Sequence, residues 1–329
     1  MGWKGSTLAT LVSFAWPTHR WQSNRGCVDR LAGVPQSVGE LIDLLELEEI
    51  ETGLFRARQP DTQLQRVFGG QVLAQAVMAA SRTVVVTRVL HSLHGYFLIP
   101  GRTDTPIVYD VEAVRDGGSF SSRRVVARQG GRVIFYLSSS FHKAEAGYEH
   151  ADPAPDDVPL PDSCPRLSEV LAKVAGREPA FWEREWGALD VRYVGDSRPG
   201  GALADAVHPA RARVWMKTNG ALPDERRMHQ AALAYASDLT LLAVTTVPHG
   251  VFVGLNVQAA SIDHALWFHR PFRADDWLLF DQASPSASGG LGLSTARLFQ
   301  EKALVADVAQ EGLIRPIGQS AASQSPAGR

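Results

Sequence analysis

Residues Phe68 to Ser81 read FGGQVLAQAVMAAS, and the fold turns on them. A glycine pair opens the run, and after it only Gln71, Gln75 and Ser81 are polar, so the spacing predicts a helix over Gln71 to Ser81 that is apolar nearly all round. Such a helix has no wetted face and must be enclosed by other elements. The following residues can do this. Leu90 to Leu98, Pro106 to Val114, Phe120 to Arg128 and Arg132 to His142 have strand composition, and Asp116-Gly117-Gly118 and Gly130-Gly131 sit between the last three as hairpin turns would. On the other side, Ser37-Val38-Gly39-Glu40 reads as a capping box for a short amphipathic helix carrying Leu41, Leu44, Leu45 and Leu47.

The same order then recurs. Met228 to Leu242 (MHQAALAYASDLTLL) is a second mostly apolar helix, and strands are expected at Ala260 to Phe268, Asp276 to Ser284, Gly292 to Phe299 and Leu304 to Ile314. Aligning His94 with His264 and Ser140 with Gln310 gives a repeat offset of 170 positions. Between the copies, Ala151 to Pro165 (ADPAPDDVPLPDSCP) is rich in proline and aspartate and reads as a linker. The expected division is an extension at 1–36, a first domain at 37–149, a linker at 150–183, a second domain at 184–318 and a tail at 319–329. A buried helix wrapped by antiparallel strands, twice, is an α+β fold.

The 329 residues are 45% hydrophobic and 21% charged, with a net charge of -2. That balance, without any run of Lys or Arg, offers nothing for nucleic acid or a membrane surface. Leu8 to Trp16 is apolar but contains Thr10 and Ser13, ends at Pro17 and leads to no clean cleavage site, so it reads as part of an extension rather than a signal peptide. No stretch is expected to span a bilayer. Cys27 and Cys164 are the two cysteines, in no metal-binding spacing, which suits a reducing compartment, the cytoplasm. No cofactor and no metal are implied, and there is no Gly-x-Ser-x-Gly elbow, phosphate loop or His-Glu-x-x-His.

Six segments resemble signature stretches of the type II acyl-CoA thioesterases: Gln65 to Val72 (QRVFGGQV), His91 to Leu98 (HSLHGYFL), Arg115 to Phe120 (RDGGSF), Tyr235 to Leu239 (YASDL), Ser261 to Phe272 (SIDHALWFHRPF) and Gln310 to Gly312 (QEG). The resemblance runs from about Val38 to Arg315. It implies a double hot-dog fold, fatty acyl-CoA as substrate, hydrolysis to a free fatty acid and CoA, and a polar trio of Asp, Thr and Gln that positions water. The trio falls on Asp238, Ser261 and Gln310, with serine in place of the threonine. Two rivals stand beside this reading: a hot-dog hydratase using an Asp/His pair, and a non-catalytic acyl-CoA-binding protein.

The residues also bear readings of their own. Asp238 follows an apolar helix, where a carboxylate is costly unless paired; it is either a base for water or an acid in a solvated notch. A hydroxyl and an amide, as at Ser261 and Gln310, both donate and accept and can hold a water. The N–H groups of Gly70 and Gln71, at a positive helix end, either polarise the thioester carbonyl or merely open a close-packed helix. Arg115, Arg123 and Arg124 are either contacts for the phosphates of CoA or a solvated strand edge. His91, His94 and His264 read as packed histidines, and Asp263 and His264, adjacent on a strand, point to opposite faces. Exposed sheet edges predict a homo-oligomer.

Overall fold

The computed structural model describes residues 35–317, apart from 63, 177 and 205–209. Leu8 to Trp16, Cys27 and the tail at 319–329 lie outside the described residues. Pro35 and Gln36, assigned above to the extension, are engaged: the Pro35 carbonyl accepts the Ala188 N–H at 2.9 Å, and the Gln36 N–H donates to the Glu40 carboxylate at 2.6 Å.

Helix α1 (Val38–Leu45) starts where the capping residues place it, the Ser37 hydroxyl accepting the Glu40 N–H at 3.3 Å. Helix α2 (Gly69–Arg82) takes in both glycines, and every residue from Gly70 to Ala80 is buried. Around it lie β1 (Glu48–Glu51), β2 (Leu54–Ala57), β3 (Arg88–Phe97), β4 (Ile107–Asp116), β5 (Phe120–Gln129) and β6 (Arg132–Lys143). The β1–β2 hairpin is an addition to the sequence reading. Its first strand, EEIE, is exposed throughout and carries no alternating pattern.

The segment at 150–183 is not structureless. It holds a 3-10 turn and α3 (Leu167–Ala175), and α4 (Pro179–Trp186) runs out of its end. The second half continues with β7 (Leu189–Asp196), β8 (Arg211–Thr218) and α5 (Arg226–Ser237), then a 3-10 stretch, Leu241–His249. The single strand expected over Ala260 to Phe268 is two, β9 (Val257–Ser261) and β10 (Asp263–Phe268). After it come β11 (Leu278–Ser288), β12 (Leu291–Gln300) and β13 (Ala303–Pro316).

All thirteen strands join one antiparallel sheet in the order β1-β2-β4-β5-β6-β3-β10-β13-β12-β11-β8-β7, with β9 on β13. The seam between the halves is β3 against β10, so the hydrogen-bond ladder crosses it without a break. Helices α2 and α5 pack together inside the sheet as a double hot-dog. Their approach is close at Gly70, where an added Cβ would lie 2.3 Å from the Tyr235 carbonyl oxygen. Taken together, α5 and the 3-10 stretch (Arg226–His249) are long and apolar enough to cross a membrane, contrary to the expectation above, but 67% of the most apolar window is buried in this fold. The composition is that of a core helix.

The repeat offset is 171, not 170. Gln129 and Gln300 occupy equivalent places, as do Arg102 and Arg273, each pair 171 positions apart and bonded alike. The turns Gly130-Gly131 and Glu301-Lys302 share left-handed backbone at the same spacing. A one-residue slip moves a strand residue to the opposite face. His264 is therefore equivalent to Leu93, pointing inward, and His94 to Ala265, pointing outward.

Candidate active site

Helix α5 ends at Ser237 because the chain leaves helical geometry after Asp238, which caps it. That places the Asp238 carboxylate beside the start of α2: a Cβ on Gly69 would meet Oδ2 at 2.6 Å. From the sheet, β9 delivers Ser261 and β13 delivers Gln310. The Ser261 hydroxyl donates to Asp238 Oδ1 at 3.2 Å, and Gln310 Nε2 donates to the same oxygen at 2.5 Å and to Ser261 Oγ at 2.8 Å. The three sequence candidates are thus one hydrogen-bonded cluster. Gln310 is 0% exposed and the Asp238 side chain 6%. Burial raises the Asp238 pKa to about 6, against the opposing pull of the bonds from Gln310 and Ser261 and of the Gly70 N–H.

The other candidates fall elsewhere. The Gly70 N–H is turned to Asp238, and the Gln71 N–H donates to the Phe68 carbonyl at 3.1 Å while its amide donates to Gln59. The structure thus turns Gly70 toward Asp238 and Gln71 toward the preceding turn. Arg123 is 3% exposed, and its guanidinium is committed to Asp116, to the hydroxyl and carbonyl of Thr83 and to the carbonyls of Arg115 and Ser122. It has no face left for a phosphate, so it is not a contact for CoA. Arg124 is exposed and lies 3.7 Å from Glu112; Arg115 is exposed near the turn at Gly117. The structure brings neither to the Asp238 cluster, since Thr83 and Arg123 mark the far end of α2, about 20 Å away at 1.5 Å per residue.

Two features escaped the sequence reading. The first is a cavity of about 1000 Å³ that has Asp238 and Ser261 in its wall. Its apolar lining includes Leu167, Leu171, Phe181, Trp182, Leu242 and Phe252, so α3 and α4 form one side of it. The signal was present, for Leu167, Val170, Leu171 and Val174 follow helical spacing. The second is a contact of His264, which is packed as expected, 0% exposed: its Nδ1 stands 3.8 Å from Asp238 Oδ1. The adjacent Asp263 does point the other way, bonding His94 at 3.0 Å. Among the described residues no group of His, Cys, Asp and Glu could hold a metal.

Known proteins resemble this chain over most of its length. Residues 58–142 match the model of the acyl-CoA thioesterase N-terminal domain, and 201–313 match that of acyl-CoA thioesterase. The chain is 38% identical to acyl-CoA thioesterase 2 of Haemophilus influenzae over 285 residues, 84% of this chain and 98% of that protein. It superposes on the crystal structure of acyl-CoA thioesterase II TesB2 from Mycobacterium marinum with a TM-score of 0.69 at 40% identity, covering 85% of this chain and 99% of the other. A conserved protein with a hot-dog fold from Alicyclobacillus acidocaldarius superposes at 0.67 with 20% identity, over 83% and 97% of the two chains, a likeness of fold alone.

Proposed function

The chain belongs to the acyl-CoA thioesterase family, and on that premise we propose that it hydrolyses fatty acyl-CoA by direct attack of a water molecule that Asp238 deprotonates. The observation that carries this is the buried carboxylate, held by Ser261 and Gln310 in the wall of an apolar cavity. The acyl chain lies in the cavity, each buried methylene contributing about 0.8 kcal/mol. A carboxyl group with a pKa near 6 is ionised at neutral pH and is a stronger base than an ordinary aspartate. As water bonds to the thioester carbon, its proton passes to Asp238, and the proton later goes to the departing sulfur of CoA. The developing oxyanion is served by the Gly69 N–H at the positive end of α2.

A single turnover in oxygen-18 water with excess enzyme tests the mechanism. The label is expected in the fatty acid and not in the protein; label in the peptide containing Asp238 means an acyl-enzyme. A homo-oligomer in the cytoplasm completes the reading. The sheet ends in edge strands β1 and β7, which invite partners, and light scattering on the purified chain checks the assembly.

A further inference from the structure

His264 packs beside Asp238, is not among the residues lining the cavity, and is bonded through Nε2 to Ser237. Ser237 Oγ lies 3.0 Å from the Ala234 carbonyl and 2.8 Å from His264 Nε2, and it has one proton to give. With that proton on the carbonyl, the 2.8 Å bond between Ser237 Oγ and His264 Nε2 is donated by the ring and Nε2 carries the hydrogen, the tautomer on which the proposal below stands. In that tautomer the other nitrogen, Nδ1, is a lone pair. It is buried, has no hydrogen-bond partner, and faces Asp238 Oδ1 across 3.8 Å. Two acceptors at that distance repel while no proton lies between them. A closure of about 1 Å brings them into hydrogen-bond range once one does.

We propose that His264 is a positioning residue for Asp238, its Nδ1 lone pair receiving the hydrogen bond of the carboxyl group that forms when Asp238 takes the proton from water. This rests on the reading of Asp238 as the base. The water oxygen bonds to the thioester carbon as its proton moves to Asp238. The carbon–sulfur bond breaks, its electron pair leaves on sulfur, and the sulfur takes the same proton. Asp238 returns to a carboxylate and His264 ends in the neutral form in which it began. Burial holds the imidazole neutral throughout, pushing its pKa down to about 3. The groups packed on Asp238 from the other elements, Ser261 on β9, Gln310 on β13 and Gly70 on α2, do not titrate; Asp263 and His94 act on His264 only from the opposite face of the sheet.

The lone pair favours the protonated carboxyl group, so its loss makes Asp238 more acidic and a weaker base. His264→Gln keeps a donor for Ser237 and removes the acceptor facing Asp238. Turnover is expected to fall on the order of tenfold, with the acid limb of the pH–kcat profile at lower pH and KM unchanged, because His264 does not line the cavity. Wild-type turnover with an unmoved acid limb overturns the proposal. Should the variant not fold, nitrogen-15 NMR of the histidines in the wild-type chain decides. An unprotonated Nδ1 that responds when Asp238 titrates supports the role; a protonated Nδ1, or a resonance unaffected by Asp238→Asn, overturns it. Turnover retained in Asp238→Asn removes instead the reading of Asp238 on which this one stands.

Discussion

Gln129 and Gln300 do the same work in the two halves of the molecule. Gln129 accepts the Arg102 N–H at 2.8 Å and donates to the Arg102 carbonyl at 2.9 Å; Gln300 accepts the Arg273 N–H at 2.9 Å and donates to the Arg273 carbonyl at 2.7 Å. Each amide ties the loop after the first central strand to the last hairpin of its half. Gln129→Ala and Gln300→Ala should therefore both destabilise, each by about 1–3 kcal/mol, the cost of leaving backbone groups unpaired, with Gln129 the larger because it also donates to the Thr105 carbonyl at 2.6 Å. Urea unfolding of the two variants measures this. A loss confined to one of them breaks the equivalence.

Asp238→Asn should abolish turnover while acyl-CoA still binds, and it should stabilise the fold at neutral pH. The folded pKa of Asp238, about 6, lies above the ordinary 3.8. A raised acid contributes stability below its unfolded pKa and loses that contribution as pH rises through the folded value. The gain from the amide should thus appear between pH 4 and 6, reach on the order of 3 kcal/mol above that window, and vanish in acid. Melting curves at pH 4 and pH 8 show it. An equal Tm for variant and wild type at pH 8 contradicts the raised pKa, as does wild-type turnover that persists well below pH 6.

Ser261→Ala removes the hydroxyl that bridges Asp238 and Gln310. It should lower kcat more than it raises KM, by roughly ten- to a thousandfold. Ser261→Thr keeps the hydroxyl and should turn over close to wild type. If the two substitutions behave alike in steady-state kinetics, the hydroxyl is structural.

The two glycines that open α2 should fail in different ways. At Gly70 a Cβ meets the Tyr235 carbonyl at 2.3 Å, a backbone atom that cannot step aside, so Gly70→Ala should force the helices apart and lower the Tm, with an overpacking cost of about 1–3 kcal/mol. At Gly69 the Cβ meets Asp238 Oδ2 at 2.6 Å. Gly69→Ala should lose turnover through a displaced carboxylate while melting closer to wild type. Thermal melts beside kinetics separate the two, and an active Gly69→Ala enzyme contradicts the placement of the carboxylate.

Leu171→Trp, on the α3 wall, should shorten the preferred acyl chain. Until the cavity is full, kcat/KM should rise about fourfold for each added methylene, from about 0.8 kcal/mol apiece. The variant should reach its plateau at a shorter chain. An unchanged length profile places the chain somewhere other than against α3.

The parts of this fold that were legible in the sequence are those that obey a period. The apolar run over α2 and the strands between its glycine turns could be read because burial on every side, or on alternate sides, leaves a pattern. The β1 strand has no such pattern, and α3 was hidden by the proline-rich text before it. The slip of one position in the repeat arose from matching His94 to His264 by residue type, when the true equivalents, such as Gln129 and Gln300, are tied by what they bond to. His264 was read as a packed histidine, but its place beside Asp238 is evident only from the fold. Asp238, Ser261 and Gln310 were found through resemblance, since no spacing in the chain links residues delivered by α5, β9 and β13.

The position of Arg123 bears on how many substrates one chain can hold. Its guanidinium sits on Thr83, which caps α2 as Asp238 caps α5. The residues 171 places before Ser261, His264 and Gln310 are Leu90, Leu93 and Ser139, all buried, and the residue 171 places after Arg123 is Ser294, also buried. The first half has therefore filled the place equivalent to the Asp238 cluster with an arginine, which is paired to Asp116. Binding should saturate at one acyl-CoA per polypeptide, with a single class of site, although the backbone is built twice. What the first half still owes to the chemistry is the start of α2, where Gly69 and Gly70 meet Asp238; the opposite end of that helix answers to stability alone.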